Sequence, residues 1–534
     1  MKKASVIIAA CLALAGTGCK KYLDINDPPN GPSKVDPALY LASIEANYAL
    51  GVQFDARALG TITQNWANSS TGNTYAPFEQ HGYIPNSDAS GDLWRNVYWK
   101  GGQNTVDLIN AAREQKKWDM VGVGLALQAW GWQNLTDYSG EIIVKEAFDP
   151  LKNTFRYDRQ DTVYAIVKRL CFEAIDNLNR TDDNIGAPLF QKFDIMYRGN
   201  RLRWKRFVYG ILAQNAHHLI KKANYDPNEV MRWVDSSFQS NDDDALVPFL
   251  GTSSTDANFF GVTRNNLGSF GQSGFIVRLM TGPALGGAPE DPRRRIMLTP
   301  SPDGVYRGLN PYTTQASSTA TTTVRNLWGA QMGTAPSAAT NPGKYLYHDR
   351  APFPLMTYAM LQFIKAEAAL RAGNSGDALT AYKNGINAHM DFVLNGAKGT
   401  GANANGVGTF QFNTDGATTT AFNAERTTYL ASPKVIPATA GDLTQQMVLL
   451  QKYIALWGYG FIETWVDLRK VDYSSTVYNT LTLPTTLYTD NGGQLVYRIR
   501  PRYNSEYLTN VDALREIRAL NSNYHTYKMW IQEP

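Results

Sequence analysis

Two stretches of this sequence set flat aromatic side chains beside planar polar groups, outside any helical pattern. The first carries Trp66, Asn68 and Tyr75; the second carries Tyr306, Tyr312, Arg325, Asn326 and Trp328. Aromatic faces of this kind support the apolar side of a sugar ring, and amide or guanidinium groups beside them take its hydroxyls. The same rings can instead anchor a loop onto the body beneath it, and spacing alone does not separate the two roles. Other chemistry finds less support. The sequence holds no H-E-x-x-H, G-x-S-x-G or phosphate-loop motif. Only a paired-carboxylate hydrolase, whose spacing is three-dimensional, escapes such a search. Among the six histidines, His217 and His218 are adjacent, so a helix sends them to different faces. Cys11 and Cys19 belong to an apolar leader and its end, which leaves Cys171 as the one thiol of the body. It shares a helix face with Val167, Leu170, Ala174 and Ile175 and is expected to be buried and inert. No metal, cofactor or internal disulfide is expected. The formal net charge is +4, two units of which are Lys2 and Lys3, and no basic block occurs, so nucleic acid is not an expected partner.

These loops need a body to hold them. With 534 residues and 43% apolar composition the chain can bury a large core. Pro354–Phe392 reads as two antiparallel helices: Met356, Met360, Phe363 and Leu370 make one stripe and Leu361, Ile364 and Ala368 a second, so the first helix lies between neighbours. Gly373 to Gly376 form the turn, Asp377 is the expected cap, and Leu379, Tyr382, Ile386, Met390 and Val393 face inward after it. Gly373, Ala378, Tyr382 and Gly385 fit the tetratricopeptide repeat, which needs further copies stacked on it. Asp36-Pro37 starts an earlier helix, Asp158 and Asp161 an expected capping pair for Thr162–Leu178, and Trp204, Phe207, Val208, Ile211, Leu212 and Leu219 mark another. Helix resumes over Asp442–Leu468. The fold class expected is all-α, a tetratricopeptide-like helical-hairpin superhelix with large irregular loop insertions near 60–92, 249–353 and 398–440. Loops of that length are usually functional.

The N-terminal region has its own chemistry. Lys2 and Lys3 precede an apolar run too short to span a bilayer, and Gly16-Thr17-Gly18-Cys19 resembles the bacterial lipoprotein signal, although Gly16 stands where that pattern prefers Leu. The expected organisation is a signal peptide over 1–18, a tether over 19–36 with lipid such as palmitate on Cys19, and a single helical domain over 37–534. Multiple acyl chains on one cysteine give a stable anchor.

Taken in order, many segments resemble the SusD/RagB family of surface nutrient-binding lipoproteins. They include CKKYLDINDPPNGP after the leader, Trp94-Arg95-Asn96-Val97-Tyr98, and Ala129-Trp130 through Asp137-Tyr138-Ser139-Gly140 to Glu146-Ala147. Tyr157-Asp158-Arg159-Gln160, DIMYRGNRLRW from Asp194 to Trp204, Asp291-Pro292-Arg293, Tyr306-Arg307-Gly308, Met356-Thr357-Tyr358, Ala366-Glu367-Ala368, Gln451-Lys452-Tyr453 and Glu463 to Arg469 continue the series. The resemblance implies four tetratricopeptide-like helix pairs, a loop-built ligand face, a surface position on the bacterial outer membrane, and pairing with a TonB-dependent transporter of the SusC type. On that reading the protein is the lid of the transporter, swinging on its lipidated tether, and its ligand is a nutrient oligomer, a glycan oligosaccharide or a peptide. The family motifs are mostly structural and assign no binding residue: Glu367, on the apolar stripe of its helix, is expected to end a buried hydrogen-bond network. A competing reading is a tetratricopeptide adaptor of an outer-membrane assembly, which the large insertions and loop aromatics oppose.

Overall fold

The computed structural model describes residues 35–315, 320–337, 340–395 and 419–534. The expected signal peptide, Cys19 and nearly all of the tether lie outside the described residues, as does 396–418 of the third insertion. The body is all-α, as the sequence predicts. Its principal helices are α1 (Ala38–Ile62), α2 (Asn104–Glu114), α3 (Trp118–Ser139), α4 (Gln160–Asn179), α5 (Arg201–His217) and α6 (Pro227–Ser236). The second half adds α7 (Tyr358–Arg371), α8 (Ser375–Asn395), α9 (Thr419–Ala431), α10 (Gln445–Leu456) and α11 (Phe461–Lys470). Successive helices pack as the pairs α3/α4, α5/α6, α7/α8 and α10/α11, and each pair leans on the next, which buries the second face that the α7 stripes demand. A single apolar cluster runs through these pairs and into the insertions.

Local chemistry sets several boundaries differently from the pattern. The helix expected from Pro354 begins only at Tyr358, because the Thr357 side chain accepts from the Met360 N–H at 3.2 Å. Phe353–Met356 upstream is instead strand β4, antiparallel to β2 (Ala245–Val247). In the α7–α8 turn Gly373 adopts φ +76°, and the cap is Asn374, whose Oδ1 accepts from the Asp377 N–H. Asp158 does not cap α4; its Oδ2 takes the N–H groups of Val144 and Lys145 at 2.9 and 2.8 Å. The expected helix over Asp442–Leu468 is two, broken across Trp457–Gly460. Part of the third insertion is helical as α9. Asp36 does act at the start of α1, where Oδ1 accepts from the Ala38 N–H at 3.0 Å.

A buried ionic chain ties the helix pairs together. His217 Nε2 and Lys470 Nζ both meet Glu367 Oε2, at 3.0 and 2.5 Å, and Gln445 donates to Glu367 Oε1 at 3.0 Å, so Glu367 belongs to a buried network as expected but is a junction in it, not its end. Lys470 also reaches Asp467, Asp467 reaches Lys452, and Lys452 reaches Glu463 at 2.5 Å. His218 then bridges Glu463 at 2.8 Å and Asp137 at 3.1 Å. Except for the exposed Gln445, all of these side chains are buried. Carboxylate oxygens only accept, so an imidazole facing one with each nitrogen donates from both and carries charge. Burial alone would push His218 down; Asp137 and Glu463 outweigh it and hold the group up to about 10. His217, with a single carboxylate and two lysines near it, is held below the usual range by burial. The two adjacent histidines therefore join different branches, as their helix geometry requires.

Candidate functional site

The early loop and the second insertion are stitched into one face at the end of α1. Strand β1 (Trp66–Asn68) pairs antiparallel with β3 (Phe270–Gln272), and Gly271 bridges onward to Asn326. Gln315 donates its N–H to Ser69 O at 3.0 Å, and Thr71 N–H meets Thr314 Oγ1 at 3.3 Å. The central clamp is Glu79, on the short helix Ala76–Glu79: Oε1 accepts from Asn68 N–H at 2.6 Å and Oε2 from Tyr312 N–H at 3.0 Å. Burial pushes this carboxyl up to about 7, and the two backbone donors limit the rise. Tyr312 sits at φ +52°, a left-handed conformation costly for a tyrosine, which the Glu79 bond helps to hold.

Trp66 is not a surface platform. It is 0% exposed, enclosed by Phe260, Phe270, Tyr347 and Phe461 at ring separations of 5.0 to 6.5 Å. The ring lies so close to α1 that a Cβ on Gly60 would stand 2.5 Å from its Cζ2. Asn68 is buried as well and contributes backbone to the clamp. Trp328 is 4% exposed, with Nε1 donating to Phe260 O at 2.8 Å, so it too is an anchor. Its remaining edge lines a cavity of about 260 Å³ with Thr299, Asn341 and Lys344. Tyr75, Tyr306, Tyr312 and Arg325 are half-buried. Asn68 and Tyr312 are drawn together through Glu79, on the short helix that follows Tyr75, whereas Tyr306 lies by Arg294, whose guanidinium carbon is 5.9 Å from its ring. The Arg325 carbonyl backs Gly271.

The strongest feature of the face was not legible from the loops. Arg57, on the last turns of α1, places its guanidinium 4.0 Å from the Phe54 ring centroid, 5.1 Å from Tyr75 and 5.3 Å from Phe259. Its Nε donates to Phe54 O at 3.2 Å, and it makes no ion pair among the described residues. Burial lowers its ordinary value, a sign that no carboxylate compensates the charge fully. Phe54 and Arg57 are three residues apart on a helix, so they share a face; that spacing was the available signal. Tyr75 stacks on Phe78 at 6.1 Å and tilts against Phe270 at 5.7 Å, which fixes its plane. The result is a pre-set aromatic surface around a planar cation with unused N–H groups, suited to a ring that offers C–H on one side and oxygen at its edge. Among the described residues no group of three or more His, Cys, Asp or Glu is arranged to hold a metal. Cys171 is buried and its thiol pushed up by burial. No helix of the described residues is long and apolar enough to cross a membrane.

A helical-repeat scaffold thus carries a loop-built aromatic face. The chain belongs to the SusD-like family, described as starch-binding and associating with the outer membrane, which matches residues 29–500. Membership brings the class with it: binding proteins of the outer membrane that handle nutrients. The fold is shared with solved structures. A SusD/RagB family protein from Bacteroides thetaiotaomicron is 22% identical, with 93% of this chain and 99% of that one covered and a TM-score of 0.69. A SusD homolog from Bacteroides uniformis is 17% identical over 93% and 99%, TM-score 0.66. A chitin-binding SusD homolog from Flavobacterium johnsoniae is 18% identical over 93% and 97%, TM-score 0.62. No curated protein matches the chain.

Proposed function

We propose that this protein captures nutrient oligomers, glycan oligosaccharides first among them, and delivers them to a TonB-dependent transporter of the SusC type without altering them chemically. The observation that carries the reading is Arg57, half-buried among Phe54, Tyr75 and Phe259 with no ion-pair partner. A sugar ring resting on Tyr75 brings its oxygens to the guanidinium; Tyr312, across the Glu79 clamp, forms the rim, with Arg325 and Tyr306 reached by the longer part of a chain. Trp66, Asn68 and Trp328 serve this site by holding the loops. Lipid on Cys19 and the tether to Asp36 keep the body at high local concentration over the transporter, so contacts of modest strength suffice for capture. The chitin-binding neighbour makes chitin oligosaccharides and starch the first ligands to try.

Affinity electrophoresis and calorimetry against a panel of oligosaccharides test the ligand face. Tyr75→Ala should weaken binding by about 0.5–1.5 kcal/mol, the worth of one stacking contact, with helical circular dichroism unchanged. Full-strength binding by both Tyr75→Ala and Arg57→Gln would remove the site. Purification from native membrane in mild detergent should bring down a large β-barrel in near-equal amount; recovery of the lipoprotein alone, with the barrel expressed, would refute the delivery step. Palmitate labelling that persists in Cys19→Ala would refute the anchor.

A further inference from the structure

A second cleft, of about 140 Å³, opens between residues 82–91 and the extended segment Arg498–Arg502, and the stacking face makes no use of it. Its lining contains three guanidinium groups and no carboxylate. Two of the three are balanced from outside the lining: Arg498 pairs with Glu141, and Arg502 with Asp88. Arg500 has no acidic partner among the described residues. Its Nη1 donates to the carbonyls of Asn521 and Ser522, both at 3.0 Å, its Nη2 to Ala519 O at 2.7 Å, and its Nε to Tyr507 Oη at 3.2 Å. A guanidinium pinned by neutral carbonyls cannot swing away, and its charge stays where the cleft is. The plane lies 4.6 Å from the ring centroid of Tyr83 and 5.6 Å from that of Tyr507. Asp490 accepts the Tyr83 hydroxyl at 2.7 Å, Glu506 adjoins Tyr507, and neither lines the cleft. The Arg502 Nε is buried and meets no acceptor among the described residues. Tyr503, stacked on Tyr507 at 5.8 Å, supplies a half-buried aromatic wall.

The charge asks for an anion, the rings ask for a flat apolar face, and the volume falls below the roughly 300 Å³ at which pockets hold drug-sized ligands. A single ring bearing a carboxylate meets all three conditions. We propose that this cleft binds a terminal uronic acid residue of an acidic oligosaccharide, its carboxylate toward Arg500 and Arg502 and its ring against Tyr83 and Tyr503. Arg500 keeps one N–H, on Nη2, for a charge-assisted bond, its fixed charge attracts the carboxylate, and aromatic walls add orientation. An amino-acid carboxylate shares the anion but lacks the hydroxylated ring, so it should bind poorly.

The test is ligand-observed saturation-transfer NMR on the full-length protein, with glucuronate, galacturonate, glucose and N-acetylalanine as probes and the titrations repeated at low and high salt. One of the uronates should bind at least about fivefold tighter than glucose or N-acetylalanine, and the advantage should shrink with salt. Arg500→Gln should lower uronate affinity about tenfold, and Tyr503→Ala should do the same without touching the Arg500 hydrogen bonds. If Arg500→Gln fails to fold, Tyr503→Ala decides. Equal binding of uronate and glucose, uronate binding undiminished in Tyr503→Ala, or N-acetylalanine binding as tight as the uronates would each overturn the proposal.

Discussion

Replacing His218 by Gln tests whether the helix pairs are joined by charge or only by shape. In the folded protein the imidazole lies between Asp137 Oδ2 and Glu463 Oε2, fully buried, and is held at about 10 against an ordinary 6.5. That difference corresponds to roughly 5 kcal/mol of preference for the charged form on folding. The folded value is the raised one, so the contribution is complete below 6.5 and is lost as pH climbs through 10. At about pH 6 wild type should therefore exceed His218→Gln by about 4–5 kcal/mol, within the range for breaking a buried pair, and at about pH 9.5 by only about 1 kcal/mol. Glu463 keeps Lys452 and Gln214, and Asp137 keeps Tyr164 and Gln133, so the variant has partners enough to fold. The assay is urea unfolding of both proteins at the two pH values, read by tryptophan fluorescence, with the m-value checked for constancy. The difference between the proteins cancels titrations elsewhere. A gap of equal size at both pH values would mean that His218 is neutral and acts by packing. No gap at either would mean that the network contributes nothing to stability.

Three further outcomes follow from the loop face. Gly60→Ala forces a methyl group onto the Trp66 ring and should cost about 1–3 kcal/mol, whereas Gly72→Ala, whose Cβ would meet only Ser70 Oγ at 3.6 Å, should change stability by less than about 0.5 kcal/mol; paired thermal melts distinguish them. Glu79 is raised from 4.5 to about 7 by burial, so the clamp is fully stable below 4.5 and weakens as pH rises through 7, by up to about 3 kcal/mol. Proteolytic nicking within 306–315 should therefore be faster at about pH 8 than at about pH 5, and Glu79→Gln should abolish that dependence; a rate independent of pH in wild type would refute the clamp. Trp66→Phe should perturb near-ultraviolet circular dichroism and stability together, because the ring is core, while ligand affinity per folded molecule stays as in wild type.

What could be read in the chain, and what could not, divides along the range of the contacts. The helical pairs were legible because their signals repeat within a few residues: the double stripe of α7 and the turn at Gly373 both survive in the structure. Boundaries failed where one side chain outbid the pattern, as Thr357 does for the start of α7 and Asn374 for α8. The ligand face failed differently. Trp66, Asn68 and Trp328 have the composition of a sugar platform, yet burial is a property of what arrives from elsewhere, and Phe260, Tyr347 and Phe461 close over Trp66 from distant segments. An aromatic in a polar loop therefore reports only that something must cover it, loop or ligand. Arg57 was hidden for the complementary reason: within α1 it reads as an ordinary helical surface arginine, and only the folding of Tyr75 and Phe259 against it turns an exposed cation into a half-buried one lacking an ion-pair partner. The same logic marks Arg500, whose neighbours Arg498 and Arg502 have acids and which has none. Buried Lys452, Lys470 and His218 are each met by carboxylates. Arg469, which has none, is fully buried and out of reach, so a fixed guanidinium that borders a cleft without an acid is a position where an outside ligand has much to contribute.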